Sequence, residues 1–255
     1  MRGNEFLDKM ELIDPAYVEA ADTKPRKKKN TWLKWGVMAA CLCIIVAAIT
    51  IFPHINRNLT DPQLGEIVLS GKTTAKVSYG YEEETVTSTK SDLVNFTEEE
   101  MFSREKMYVF RGKVSGLENI TIDFNGVKEV RCIATIVLDD VYQGDIIAGE
   151  QITMLLPCAI DVVGSAVEDT DVITHLECGM EGIFMPWVYD DGSYREENGA
   201  KLMLRDLASC GLADGMRWVF LSTDQGLLFE QNAYPGAKNA TTLDDIEAYV
   251  IEKLN

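Results

Sequence analysis

The sequence predicts a mainly β, α+β protein: one N-terminal transmembrane helix followed by an OB-like or sandwich-type extracytoplasmic β-domain that closes on a C-terminal helix. Three observations carry that expectation. Gly36 to Phe52 is apolar and uncharged. From Met107 onward, apolar and polar residues alternate in runs rich in β-branched side chains, with Asn125-Gly126 between two of them. The chain then ends on an amphipathic segment that Thr242 introduces.

Residues 1–31 form a cytoplasmic stub with a basic run. In NEFLDKMELIDPAYVEAAD, Phe6, Met10, Ile13 and Tyr17 recur at helical spacing and mark one apolar stripe. Asp14-Pro15 breaks the pattern, because Asp caps helices and Pro suits their first position. Two short helices are expected, and neither is long enough to be stable alone in water. The stub is therefore either disordered or a docking element for a cytoplasmic partner.

Residues 32–52, WLKWGVMAACLCIIVAAITIF, supply the twenty-one mostly apolar residues of a bilayer-spanning helix. Lys34 snorkels and Trp32 and Trp35 mark the interface on this reading. Lys24, Arg26, Lys27, Lys28, Lys29 and Lys34 precede the span and only Arg57 follows closely. The positive-inside rule then puts the N-terminus in the cytoplasm and the C-terminal domain outside the cell membrane. Met38-Ala39-Ala40-Cys41 resembles a lipoprotein box, but its apolar run follows the cysteine instead of preceding it. An uncleaved signal anchor is the better reading.

Residues 53–103 are polar and form a tether with local structure. Ala75, Val77, Tyr79 and Tyr81 alternate with polar residues and predict one strand. Thr97-Glu98-Glu99-Glu100 predicts a capping box ahead of Met101 and Phe102.

Residues 104–255 form the extracytoplasmic domain. Asn125-Gly126 is a strong hairpin signal. Tyr142-Gln143-Gly144-Asp145 and Thr223 to Gly226 predict further turns, and Asp191-Gly192 a second hairpin. Thr242 caps a closing helix whose Leu243, Ile246, Tyr249, Val250 and Leu254 share one face.

Charge divides the chain in two. Residues 1–34 carry eight basic and six acidic side chains, whereas residues 35–255 carry sixteen and thirty-five, a net of −19. Such a surface repels phosphates and excludes nucleic acid as the partner of the outer domain.

Phe6-Leu7-Asp8-Lys9-Met10, the run from Leu12 to Ala20, and Trp32 to Cys43 together resemble the N-termini of uncharacterised single-pass membrane proteins of clostridia and related Gram-positive bacteria. These are regarded as anti-sigma-factor-like. The resemblance covers about a fifth of the chain and implies a sigma factor or another regulator as cytoplasmic partner. The stub has neither His nor Cys, so it departs from the zinc-containing anti-sigma domain.

Catalytic and metal signatures are missing: no H-E-x-x-H, no G-x-S-x-G and no Gly-rich phosphate loop occurs. No cofactor or metal is expected. His175, three residues before Cys178, is read as structural. Cys132, Cys158, Cys178 and Cys210 have no paired spacing, and Cys132 fits a buried free thiol. The acidic runs Asp139-Asp140, Glu168-Asp169, Asp190-Asp191 and Glu196-Glu197 fit a solvated rim as well as a glycosidase cleft. Trp187, Tyr189 and Trp218 are ligand-stacking candidates, with burial in the β-core as the plainer alternative. The sequence thus points to a non-enzymatic, anti-sigma-like envelope regulator. A membrane-anchored binding or interaction module stands close behind, and a surface hydrolase ranks third.

Overall fold

The computed structural model describes residues 67, 69–81, 96–162 and 167–255. All of them lie in one compact unit, Pro62–Asn255. The stub stripe Phe6, Met10, Ile13 and Tyr17 and the proposed membrane span at 32–52 lie outside the described residues. Among the described residues, no helix is long and apolar enough to cross a membrane.

The unit is mainly β. Strands β2 (Val109–Phe124) and β3 (Val127–Gln143) form a long antiparallel hairpin. Its turn is the expected Asn125-Gly126, with φ of 51° and 97°. Two left-handed residues in succession give the turn whose twist matches the strands it joins, and Asn followed by Gly tolerates it best. β4 (Gln151–Leu156) continues the meander. β9 (Cys210–Gly211) then runs parallel to β4, and β6 (Trp187–Val188) lies antiparallel to β9. On the other side of β2 lie β5 (Glu181–Phe184), β10 (Val219–Thr223) and β11 (Gly226–Leu228).

The sheet curls until its β6 edge meets the residues that lead into β2. Trp187 bridges Met107, Tyr108 N donates to Pro186 O at 3.0 Å, and Val188 N donates to Lys106 O at 3.0 Å. Inside the curl lies the larger core, centred on Phe110, Ile136, Phe184, Trp218, Phe220 and Tyr234. Helix α2 (Leu243–Leu254) covers it with Leu243, Ile246, Tyr249 and Val250. The capping box expected at Thr97 and the cap expected at Thr242 are both present, and the second is also a box. Thr242 pairs with Asp245 at α2, and Thr97 pairs with Glu100 at α1 (Glu98–Phe102).

A second, smaller core lies on the β3–β4 side, against Ile133 and Leu155. Strand β1 (Lys76–Tyr79), the strand expected in the tether, pairs with β2 and contributes Val77 to this core, next to Ala75. The hairpin of β7 (Tyr194–Glu197) and β8 (Ala200–Met203) adds Ala200 and Leu202. Asp206 fastens the N-terminal segment to this lobe by accepting from Ser70 N, Ser70 Oγ and Thr73 Oγ1.

One turn differs from expectation. Asp190 to Ser193 is a turn in which the Asp190 carboxylate accepts from Gly192 N at 2.9 Å, but the strands on either side of it do not pair. β6 pairs with β9 instead, and the true hairpin turns at Asn198-Gly199, with φ of 47° and 74°. Both Asn-Gly hairpins lock tip to tip. Asn125 Nδ2 donates to Asn198 O, and Asn198 Nδ2 donates to Phe124 O and Asn125 O.

Candidate functional site

The loop between α1 and β2 carries Arg104 to the seam where β6 meets the entry of β2. Gln143, at the end of β3, pins that loop by donating Nε2 to Arg104 O at 2.9 Å and to Met107 O at 3.0 Å. With the backbone held, the Arg104 guanidinium lies 4.1 Å from the Phe96 ring centroid and 4.7 Å from that of Trp187. Arg217 approaches Phe96 at 5.5 Å. Trp218 stands edge-on to both Phe96 (5.9 Å) and Trp187 (6.2 Å). Each cation–ring contact is worth ~0.5–2 kcal/mol, more as water is excluded.

Beneath the stack sits a buried polar node. The Asp214 carboxylate, 3% exposed, accepts from Met216 N, Arg217 N, Arg217 Nε, Arg217 Nη2 and Trp218 Nε1, at 2.7 to 3.0 Å. The Tyr234 hydroxyl donates to Arg217 O, and burial pushes this phenol well above its usual range. These contacts fix the plane of Trp218, and through it the positions of Phe96 and Trp187.

Arg104 differs from the other described arginines. Arg111, Arg131, Arg195, Arg205 and Arg217 each lie within 3.1 Å of a carboxylate. No carboxylate or carbonyl among the described residues accepts from the Arg104 guanidinium, whose Nε is fully buried and unpaired. The Trp187 indole Nε1 is likewise buried without an acceptor. A buried donor left unmade costs ~1–3 kcal/mol, so two of them in one stack are conspicuous. Glu100 is near enough to feel the Arg104 charge, but its carboxylate is held by the Thr97 cap.

The three aromatic candidates part company here. Trp218 is wholly buried and bonded to Asp214, so it offers no face to solvent. Trp187 is only partly buried and forms one wall of the stack. Tyr189 belongs to the second core, its ring against Gly211, and burial pushes its phenol up to about 12. Phe96 and Arg104 were not among the sequence candidates. They lie more than eighty residues before Trp187 in the chain, and only the aromatic character of Trp187 marked the place.

The acidic pairs are engaged or solvated. Asp190 binds Lys106 at 2.6 Å and Asp191 binds Arg205 at 2.7 Å. Arg195 pairs with Glu197 and Lys201 with Glu196, while Asp139 and Asp140 are exposed. Among the described residues no group of three His, Cys, Asp or Glu side chains is arranged to hold a metal ion. The four described cysteines are free, with Cys178 exposed and Cys132, Cys158 and Cys210 buried.

Fold and site together define a mainly β protein with a curled sheet and an arginine–aromatic stack at its seam. Compared with protein-family models, curated proteins and solved structures, the chain matches none.

Proposed function

We propose that the chain is a non-enzymatic, membrane-anchored envelope regulator, anti-sigma-like. Its outer domain is an OB-like barrel that binds a ligand, and its stub docks a cytoplasmic sigma factor or other regulator through Phe6, Met10, Ile13 and Tyr17. The barrel reading is supported by the strand order: a β2–β3–β4 meander, β9 parallel to β4, and β6 between β9 and the entry of β2. Such barrels commonly take oligonucleotides or oligosaccharides on the face of their second and third strands. Here the second core covers that face, and the acidic surface disfavours nucleic acid.

The observation that carries the binding reading is the Arg104 stack: a partly exposed cation held against two rings and claimed by no carboxylate among the described residues. The same observation favours the second reading, an anchored binding module whose stub serves only topology. The two separate in one experiment. The full-length protein is cross-linked and purified from membranes of a Gram-positive host, alongside its Phe6→Asp/Ile13→Asp variant. A sigma factor recovered with the native chain alone supports the regulator. No sigma factor, or equal recovery with both chains, refutes it and leaves the anchored module.

A further inference from the structure

We propose that Arg104 is the anchor of a carboxylate-binding site: its guanidinium, clamped between Phe96 and Trp187, receives the carboxylate of a ligand that is not part of this chain. The inference rests on the reading of the outer domain as a ligand-binding domain and names the chemistry of what it binds.

The first argument is one of charge. In residues 35–255 acids outnumber bases by more than two to one. An arginine in that field ordinarily finds a carboxylate, and the five other described arginines have done so. Arg104 has not, although Glu100 lies nearby, because the N-cap of α1 holds Glu100 through Thr97 N at 2.8 Å. Lys106, the next cation along the loop, is tied to Asp190. Arg104 is thus the cation at the seam without an acidic partner among the described residues.

The second argument is geometric. A guanidinium recognises a carboxylate through a planar fork, and much of the cost of such recognition is the entropy of fixing a long side chain. At Arg104 that cost is already met. The rings at 4.1 and 4.7 Å fix the plane, and Gln143 fixes the backbone behind it. With Nε buried, the terminal nitrogens are the ones left to meet a ligand. The partly exposed guanidinium fork supplies donors, and no described side chain of the stack supplies an acceptor. A carboxylate supplies what it lacks.

The test uses the full chain in detergent micelles with ¹⁵N-labelled tryptophan, whose four indoles give four resonances. Trp187→Phe identifies the Trp187 signal. Sodium acetate is titrated against sodium chloride at constant ionic strength, with phosphate as a separate arm. The expected result is a saturable shift of the Trp187 indole with acetate and not with chloride. Arg104→Gln should abolish it, and Arg104→Lys, which keeps charge but loses the fork, should weaken it by roughly tenfold. The Trp218 indole, bound to Asp214, reports whether each variant keeps its fold. If Arg104→Gln displaces that signal, Arg104→Lys alone decides. Equal acetate affinity in Arg104→Lys and the native chain overturns the proposal. So does a Trp187 response no different from that to chloride, or a response to phosphate alone. Failure here with a sigma factor still captured removes the site and leaves the regulator reading standing.

Discussion

Asp214→Asn tests whether the polar node beneath the stack holds the larger core together. The carboxylate is 3% exposed and accepts five hydrogen bonds, two of them from the Arg217 guanidinium, itself 9% exposed. The amide keeps the shape but removes the charge, and it turns an NH₂ group toward groups that are all donors. Breaking one side of a buried ion pair costs ~3–5 kcal/mol, and the backbone and indole bonds fall within that range because they share the same oxygens. For a domain of this size each kcal/mol lowers Tm by roughly 2–4 °C, so the expected loss is about 6–20 °C. Thermal unfolding followed by near-ultraviolet circular dichroism reads the loss and the Trp218 environment together. Trp218→Phe removes the 2.7 Å bond to the same carboxylate, so the double variant should fall short of additivity by ~0.5–3 kcal/mol. A loss below ~1 kcal/mol for Asp214→Asn, or strict additivity with Trp218→Phe, would refute the node as the organiser of the stack.

Three further outcomes are expected. Among the described cysteines Cys178 is the exposed one, whereas burial raises Cys158 to about 11 and Cys132 to about 12. An aromatic disulfide reagent at pH 8 should therefore show a fast phase that Cys178→Ser removes, with Cys132 and Cys158 reacting only on unfolding. Stability should fall on acidification. Burial works to raise Glu98, but its hydrogen bond from Lys253 leads the effects that leave it below 4.5, and Lys106 holds Asp190 down to about 2. Carboxylates depressed on folding stabilise above their ordinary values and lose that contribution as pH falls through the folded ones. The decline therefore runs from about pH 4.5 toward pH 2, and Glu98→Gln should flatten its upper part in a Tm series against pH. Lastly, a Cβ at Gly211 would stand 1.9 Å from Tyr189 Oη and 3.0 Å from Leu155 O. Gly211→Ala should cost ~1–3 kcal/mol in urea denaturation. The cost should shrink in a Tyr189→Ala background; the same cost in both would show that the Tyr189 contact is not its source.

Local chemistry was legible in the sequence, and distant pairing was not. Asn125-Gly126 and the Thr97/Glu100 box could be read because a few adjacent residues determine them. Thr242 marked its helix for the same reason, and its box is completed by Asp245. Asp191-Gly192 misled because a turn signal does not say which strands will pair. β6 found β9, and the hairpin formed at Asn198-Gly199 in the same stretch. β1 was readable as a strand, but its seat between β2 and the β8 lobe depends on partners far along the chain. The site was hidden for that reason too. Phe96, Arg104 and Trp187 converge only because the sheet curls and Gln143 reaches back to the loop.

The location of the stack suggests how occupancy could be felt elsewhere in the domain. Arg104 sits in the loop that supplies Lys106, Met107 and Tyr108 to the seam, and Trp187 is the residue those atoms close against. β6 has only two residues, so the seam is held by few backbone hydrogen bonds and is a natural place for local opening. A ligand carboxylate on Arg104 would restrain the loop side of that seam and favour its closed form. Binding that acts in this way raises the local opening free energy by a mass-action amount and needs no change of shape. Its signature would be slower amide hydrogen exchange at Tyr108 and Val188, with exchange on β10 and β11 unchanged. Uniform slowing across the sheet would mean instead that occupancy stabilises the domain as a whole, and the seam would then have no special part in transmitting it.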